Sequence, residues 1–265
     1  MAETMSDAPR ATRPGLSPAM RHALIGAARI ALGVATVVIV WQAIITLYAV
    51  PAFIAPTPGA VVVAFVSHIW DIIPAIAWTL RSVLLGMGIA LVLAVILAGI
   101  FTLSPLVSRA LLPLIIMLRT APVLAIAPIL ILIFGRGLAT SIAVVVLVSF
   151  FPIMVNAAKG FGSTPPNALE LMRVAGATWM QTFLKVRLPY ALSYLFTGIR
   201  LASAGAVLSA MLAEWLSGAP GIGTLILQAS SFRDQPLMWA GVVTSVISAV
   251  AFFALTTWAE RRMAR

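Results

Sequence analysis

Charged side chains are all but missing from run after run of about twenty residues, the length at which a helix crosses the hydrocarbon core of a bilayer. Such runs occupy Ile25 to Tyr48, Trp78 to Leu103, Leu138 to Ala158, Tyr190 to Leu212 and Leu237 to Trp258, with a less regular one at Leu106 to Phe134. The chain as a whole is 62% hydrophobic and only 9% charged, against roughly a quarter charged in a soluble domain. Its apolar surface is too large to hide from water. In lipid, every backbone polar group must bond within the protein, which admits helices. The fold expected is an all-α integral membrane protein of about six transmembrane helices.

The 17 Lys and Arg residues outweigh 7 Asp and Glu, for a formal charge of +10. In a soluble protein this excess would point to nucleic acid. Here the cations sort by position along the chain and read as topology determinants, so the partner is the bilayer and no nucleic acid is expected. Arg10, Arg13, Arg21 and Arg29 precede or open the first span, and Arg109 follows the second. Lys159, Arg173, Lys185 and Arg187 surround a long central loop, and Arg261, Arg262 and Arg265 close the chain. Only Arg136 and Arg233 fall in the opposite loops. The positive-inside rule then places both termini and the central loop in the cytoplasm of a multi-pass protein of the bacterial inner membrane. Residues 1–22 read as a polar, Pro-rich cytoplasmic tail without a signal-peptide cleavage site, and residues 23–265 as the membrane domain. Cysteine is absent, which excludes disulfides and thiolate metal sites.

Prolines 51, 56 and 58 end the first span. Gly59 to Ala77 is interrupted by His68, Asp71 and Pro74 and flanked by Trp70 and Trp78, which suggests a short helix lying in the outer interface. His68 has no second histidine within reach, so it reads as an interfacial side chain. Gly86, Gly88 and Gly99 offer the second span surfaces for close helix packing. The third contains Pro113, Pro122 and Pro128 around Arg119. It is either one kinked helix lining a path, or two short segments with Arg119 in a turn.

Enzymatic motifs are missing. There is no Gly-rich P-loop, no His-Glu-x-x-His, no Gly-x-Ser-x-Gly and no cluster of carboxylates. The chain is therefore not expected to be an enzyme or to hold a cofactor or metal of its own. What remains is charge inside apolar spans, which costs roughly 2.5–3.5 kcal/mol on insertion scales unless the group snorkels, pairs or faces water. Arg119, Arg200, Arg81 and Glu214 are the candidates for a translocation path. The alternatives are scaffold roles: snorkelling for Arg81, carbonyls freed by proline for Arg119 or Arg200, and a pairing with Arg81 or contact with solvent for Glu214.

The long interval between spans that is rich in functional groups is Thr164 to Pro189, TPPNALELMRVAGATWMQTFLKVRLP. Thr164 with Pro165 reads as a helix start, Gly176 as a left-handed helix end, Thr178 as a second cap, and Pro189 as a stop. The result would be a helix-turn-helix held between two spans. Glu170 precedes Gly176 by six residues, and Leu188-Pro189 closes the stretch. This pattern resembles the cytoplasmic EAA loop of ABC importer permeases, with Leu171 and Met172 in place of the two alanines and Val186 in place of isoleucine. The stretches APTPGAV, TLRSVLLGMGIAL, LRTAPVLAIAPILILIFGRG and AEWLSGAPGIGTLI are similar to the nitrate, taurine and aliphatic sulfonate permeases, and with the loop they cover most of the chain from about residue 55.

The resemblance implies a type I importer permease working by alternating access on a small solute, an anion such as sulfonate, taurine or nitrate. Its partners would be two copies of a cytoplasmic ATPase, which bind ATP and Mg, an extracytoplasmic solute-binding protein, and a second copy of itself. Residues 163–189 would be the ATPase-coupling loop, through Glu170, Leu171, Met172, Gly176, Ala177, Leu188 and Pro189. An ion-coupled secondary transporter or channel is the alternative, though it would be expected to carry mid-span carboxylates that are not found.

Overall fold

The computed structural model describes residues 18–263, apart from 105, 108, 111–112, 114–116 and 118–121. Every regular element among the described residues is helical. The chain divides into two units, residues 1–58 and 59–265. The first contains α1 (Pro18–Leu47), of which Ala28–Leu47 is long and apolar enough to cross a membrane. Inside it Thr36 and Thr46 donate to the carbonyls four residues back, which satisfies their hydroxyls without a tertiary partner.

The second unit opens with α2 (Pro58–Ser67) and α3 (Ile69–Leu103). Of the interruptions expected at His68, Asp71 and Pro74, the first breaks the helix and the other two lie inside α3. His68 leaves the helical region (φ −109°, ψ 26°), and its ring Nδ1 stands 3.1 Å from the Ala64 carbonyl oxygen. Pro74 lies past the first turn, so it forfeits the bond its N–H would have given the Trp70 carbonyl, a loss that membrane helices accommodate without breaking. The span expected from Trp78 therefore begins nine residues sooner.

α4 (Val123–Phe134) follows Pro122, which stands at its N-cap in extended conformation. It is shorter than a full span, and much of the stretch before it, including Arg119, lies outside the described residues. A turn at Gly135–Gly137 leads to α5 (Leu138–Gly162). Beyond the central loop run α8 (Leu188–Ser217), a short α9 (Ile222–Ser231) and α10 (Gln235–Met263), where the loop's own helices, α6 (Pro166–Val174) and α7 (Trp179–Thr182), take the intervening labels. With α1, the helices of span length among the described residues number five.

α5 packs against both α3 and α8, and α10 closes on α8. Small residues make this possible. On α3 they recur every fourth position, Ser82, Gly86, Ala90, Ala94 and Ala98, and all five are buried. On α8 the same spacing runs Gly198, Ala202, Ala206 and Ala210. A four-residue ridge of small side chains lets backbones approach closely, which matters where lipid supplies no hydrophobic drive between helices. At Gly198 a Cβ would stand 3.0 Å from the Ile153 Cα of α5. Larger side chains on α5, Val145, Ile153 and Met154, fill the spaces left and are fully buried.

The antiparallel run of these helices defines two ends of the unit. One carries the central loop and the C-terminus of α10. The other carries the start of α3, α9 and the start of α10.

Candidate functional site

The central loop is built from local capping. Pro165, rather than Thr164, occupies the N-cap of α6, with Pro166 at the first helical position. Thr164 is buried, and its hydroxyl donates back to the Phe161 carbonyl, 3.1 Å away, at the end of α5. Gly176 has φ +67°, as expected for a left-handed helix end. Its N–H donates to Arg173 and that of Ala177 to Met172, both at 3.0 Å, the paired bonds of a Schellman motif. Thr178 then caps α7 in a full capping box. Gln181 N–H donates to the Thr178 hydroxyl, and Thr178 N–H to the Gln181 side chain.

Pro189 does not stop the chain. Phe183–Arg187 form a π-helical turn that carries α7 without a break into α8, with Pro189 in the first turn of α8. The Leu188 N–H reaches back to Phe183, five residues away. This wider turn lets the proline ring clear the preceding carbonyls, which a regular α-helix would not.

Aromatic packing fixes the turn to the helix ends. Phe183 lies 5.0 Å from the Phe161 ring and stacks on Trp179 at 5.1 Å. A side chain at Gly99 of α3 would press on the Phe183 ring. Arg187 donates to the Phe161 carbonyl at 3.4 Å, placing a cation at the C-terminal end of α5, where the helix dipole favours it. α6, by contrast, buries none of its residues. Leu171 is 69% exposed and Val174 87%, with Glu170 beside them. A helix anchored at its C-terminal turn thus presents an apolar surface that the described residues leave uncovered.

At the opposite end, Glu214 is completely buried, so neither of its expected alternatives holds. Thr79 of α3 donates to its Oε1 at 2.8 Å, and the Gly223 N–H of α9 donates to its Oε2 at 2.8 Å. The Ile222 N–H donates to the Thr79 hydroxyl at 2.9 Å, closing a circuit among α3, α8 and α9. Arg81 lies elsewhere, with its guanidinium 5.3 Å from the centre of the Trp78 ring, a cation–π contact. An open cleft of about 540 Å³ lies between the start of α3 and α9, lined in part by Trp70, Asp71, Trp78, Gln228 and Phe232.

Arg200 has an acidic partner after all. Its Nε stands 3.0 Å from Oε2 of Glu260 on α10, off the line of the N–H, so the contact is ionic more than a directed hydrogen bond. Thr197 donates to the other carboxylate oxygen at 2.7 Å, and Ser203 bonds Thr256 at 3.0 Å. Residues 197, 200 and 203 of α8 thus meet 256 and 260 of α10 along one polar seam. The arginine side chain is 35% exposed, which screens the pair to about 1 kcal/mol or less. A double-mutant cycle with Arg200→Gln and Glu260→Gln, read by thermal unfolding in detergent, should return a coupling of that size. A coupling of zero would show that the two side chains are neighbours only.

The family model for the "Binding-protein-dependent transport system inner membrane component" matches residues 90–265, which include the loop, the polar seam, and Glu214 with Gly223, and begin eleven residues after Thr79. The chain belongs to this family. It is the membrane component of a binding-protein-dependent ABC importer, and not a catalytic subunit. The permease is 33% identical over 231 residues to the riboflavin transport system permease protein RibX of Chloroflexus aurantiacus, covering 85% of each chain. It is also 33% identical over 215 residues to the putative aliphatic sulfonates transport permease protein SsuC of Bacillus subtilis, covering 79% of this chain and 76% of that one. Its fold matches a chain of the MetNI methionine ABC transporter, solved in inward-facing conformations, with a TM-score of 0.62 and 20% identity over 75% of this chain and 99% of that one.

Sequence reasoning finds the loop of the permease but misses what holds it and its counterpart at the other end. Phe161, Phe183 and Trp179 read as ordinary apolar residues. Thr79 opens the quoted stretch TLRSVLLGMGIAL, but nothing local says that its hydroxyl leaves its own helix. Gly223 belongs to a quoted motif, yet no local pattern says that its N–H meets a carboxylate.

Proposed function

We propose that this permease imports a small solute by alternating access, as a homodimer, and that its 163–189 loop docks one ATPase subunit per copy on the cytoplasmic side. The observation that carries the docking is α6. It is capped at its C-terminal end, joined to the bundle through the aromatic turn, and exposes Leu171, Val174 and Glu170. Rigidity matters, because a loose loop would absorb the motion of nucleotide binding instead of passing it to α8. Leu188 and Pro189 sit where the loop becomes α8, so a push on α6 is delivered directly to a span.

The solute proposed is an organic or inorganic anion such as sulfonate, taurine or nitrate. The sulfonate permease relative supports this. A heterocycle is the second reading, favoured by the riboflavin permease relative at equal identity. Thermal shifts of the cognate binding protein with sulfonates, nitrate and flavin separate the two. Arg119 is the proposed path cation. Arg200 is engaged by Glu260 and Arg81 by Trp78, which supports scaffold roles for both.

Intact-mass measurement of the detergent-solubilised complex tests docking and stoichiometry together. The native chain should give two permeases with two ATPases. Glu170→Lys should leave a permease dimer with ATPase occupancy lowered about tenfold or more, since it reverses a charge on the exposed docking helix. Full occupancy in this variant would refute the dock. A single permease copy beside a different permease chain would refute the homodimer alone.

A further inference from the structure

A carboxylate with no exposed surface needs a reason to be inside an apolar bundle, and Glu214 has no cationic partner among the described residues. Its oxygens are met instead by one N–H at the start of α9, that of Gly223, and by the Thr79 hydroxyl, which itself takes the Ile222 N–H. Both oxygens act as acceptors, and the hydroxyl is used twice, accepting from Ile222 and donating to Glu214. The fit is tight. A Cβ on Gly221 would collide with the carboxylate, and one on Gly223 with the Met211 carbonyl oxygen of α8. The ten residues of α9 are too few to cross a bilayer. They pack against α3, α8 and α10, with Ile222 and Ile226 buried against Ala75, Met211 and Met238. α9 therefore has no independent footing in the membrane and goes where its neighbours take it.

We infer that Glu214 is a positioning residue for transport: with Thr79 it pins α9 to α3 and α8, so that the short helix moves with them as one outer gate. This rests on the alternating-access reading given above. A pin of this kind converts separation of the spans into displacement of α9. Without it, α9 would be free to leave its seat while the spans stay put.

The chain has no cysteine, so Ala229→Cys supplies a single probe. Ala229 is on α9, 3% exposed, and lines the outer cleft. Maleimide labelling is followed in the reconstituted complex with its ATPase, without nucleotide and with ATP trapped by vanadate. In the otherwise native chain labelling should be slow at rest and faster in the trapped state. Thr79→Val keeps the side-chain shape but leaves Glu214 Oε1 and the Ile222 N–H without their partner. It should raise resting labelling about tenfold or more and bring the ratio between the two states close to one. Thr79→Ser retains the hydroxyl and should behave as the native chain. Glu214→Leu is the second variant. It removes both acceptors and leaves the Gly223 N–H unpaired, so it should shift labelling in the same direction.

A merely structural role would lower complex yield without changing the nucleotide ratio. Thr79→Val and Glu214→Leu proteins that label as slowly as Thr79→Ser, or that fail to assemble altogether, would overturn the pin. If the native chain shows no nucleotide effect, alternating access fails. The resting rates still decide the pin.

Discussion

Gly176→Pro should strip the ATPase from the complex while leaving the membrane bundle folded. Gly176 sits at φ +67°, and proline is locked near −65°, so the left-handed turn between α6 and α7 cannot form. The substitution also removes the N–H that donates to Arg173 and disturbs the neighbouring bond from Ala177 to Met172. The local cost is about 3 kcal/mol or more. That is enough to reorient α6, which has no buried residue to hold it in place. ATPase retained through purification should fall tenfold or more, whereas the unfolding temperature of the permease should move little. Gly176→Asn provides the graded comparison. Asn enters the left-handed region at modest cost, so most of the ATPase should stay bound. Native retention in Gly176→Pro would remove the loop from the docking account. A collapse of the whole permease would show that the turn supports the bundle itself.

Gly86→Leu should prevent the bundle from closing, whereas Gly88→Leu, two residues along the same helix, should not. A Cβ on Gly86 would stand 2.6 Å from both Cβ and Cγ1 of Val145 and 3.0 Å from the Ile142 carbonyl oxygen. One of these obstacles is α5 backbone, so no rotamer change relieves the clash, and α3 and α5 must part. Overpacking of this kind costs about 1–3 kcal/mol in cores that can adjust and more where backbone is met. The separation would extend along Ala90, Ala94 and Ala98, whose small side chains leave nothing to refill the gap. Gly88 has open space where its Cβ would be. Monodisperse protein recovered from membranes should drop at least tenfold for Gly86→Leu and stay near native for Gly88→Leu. Equal yields from the two variants would show that the α3–α5 contact is looser than its geometry implies.

The sequence determined by itself whatever the solvent or the nearest few residues control. Hydrocarbon forces backbone groups to bond within their own segment, so apolar runs of span length had to be helices, and their rough limits were legible. Gly176 and Thr178 were legible for a similar reason, since a left-handed turn and a capping box are closed by residues within a few positions. Proline was the misleading signal. Pro74 and Pro189 read as breaks, but one falls in the opening turns of α3 and the other follows a π-helical turn that makes room for its ring.

Only the tertiary structure decided the partners of the charges. Arg200 looked unpaired because its acidic partner, Glu260, is sixty positions away at the far end of another helix. Glu214 read as a path residue, a partner for Arg81 or a group meeting solvent, because Thr79, 135 residues earlier, is brought to it only by the packing of α3 against α8 and α9. Composition requires that a buried charge find partners. Which ones it finds depends on the rotation and depth at which helices meet, and those are set by the small-residue ridges acting together.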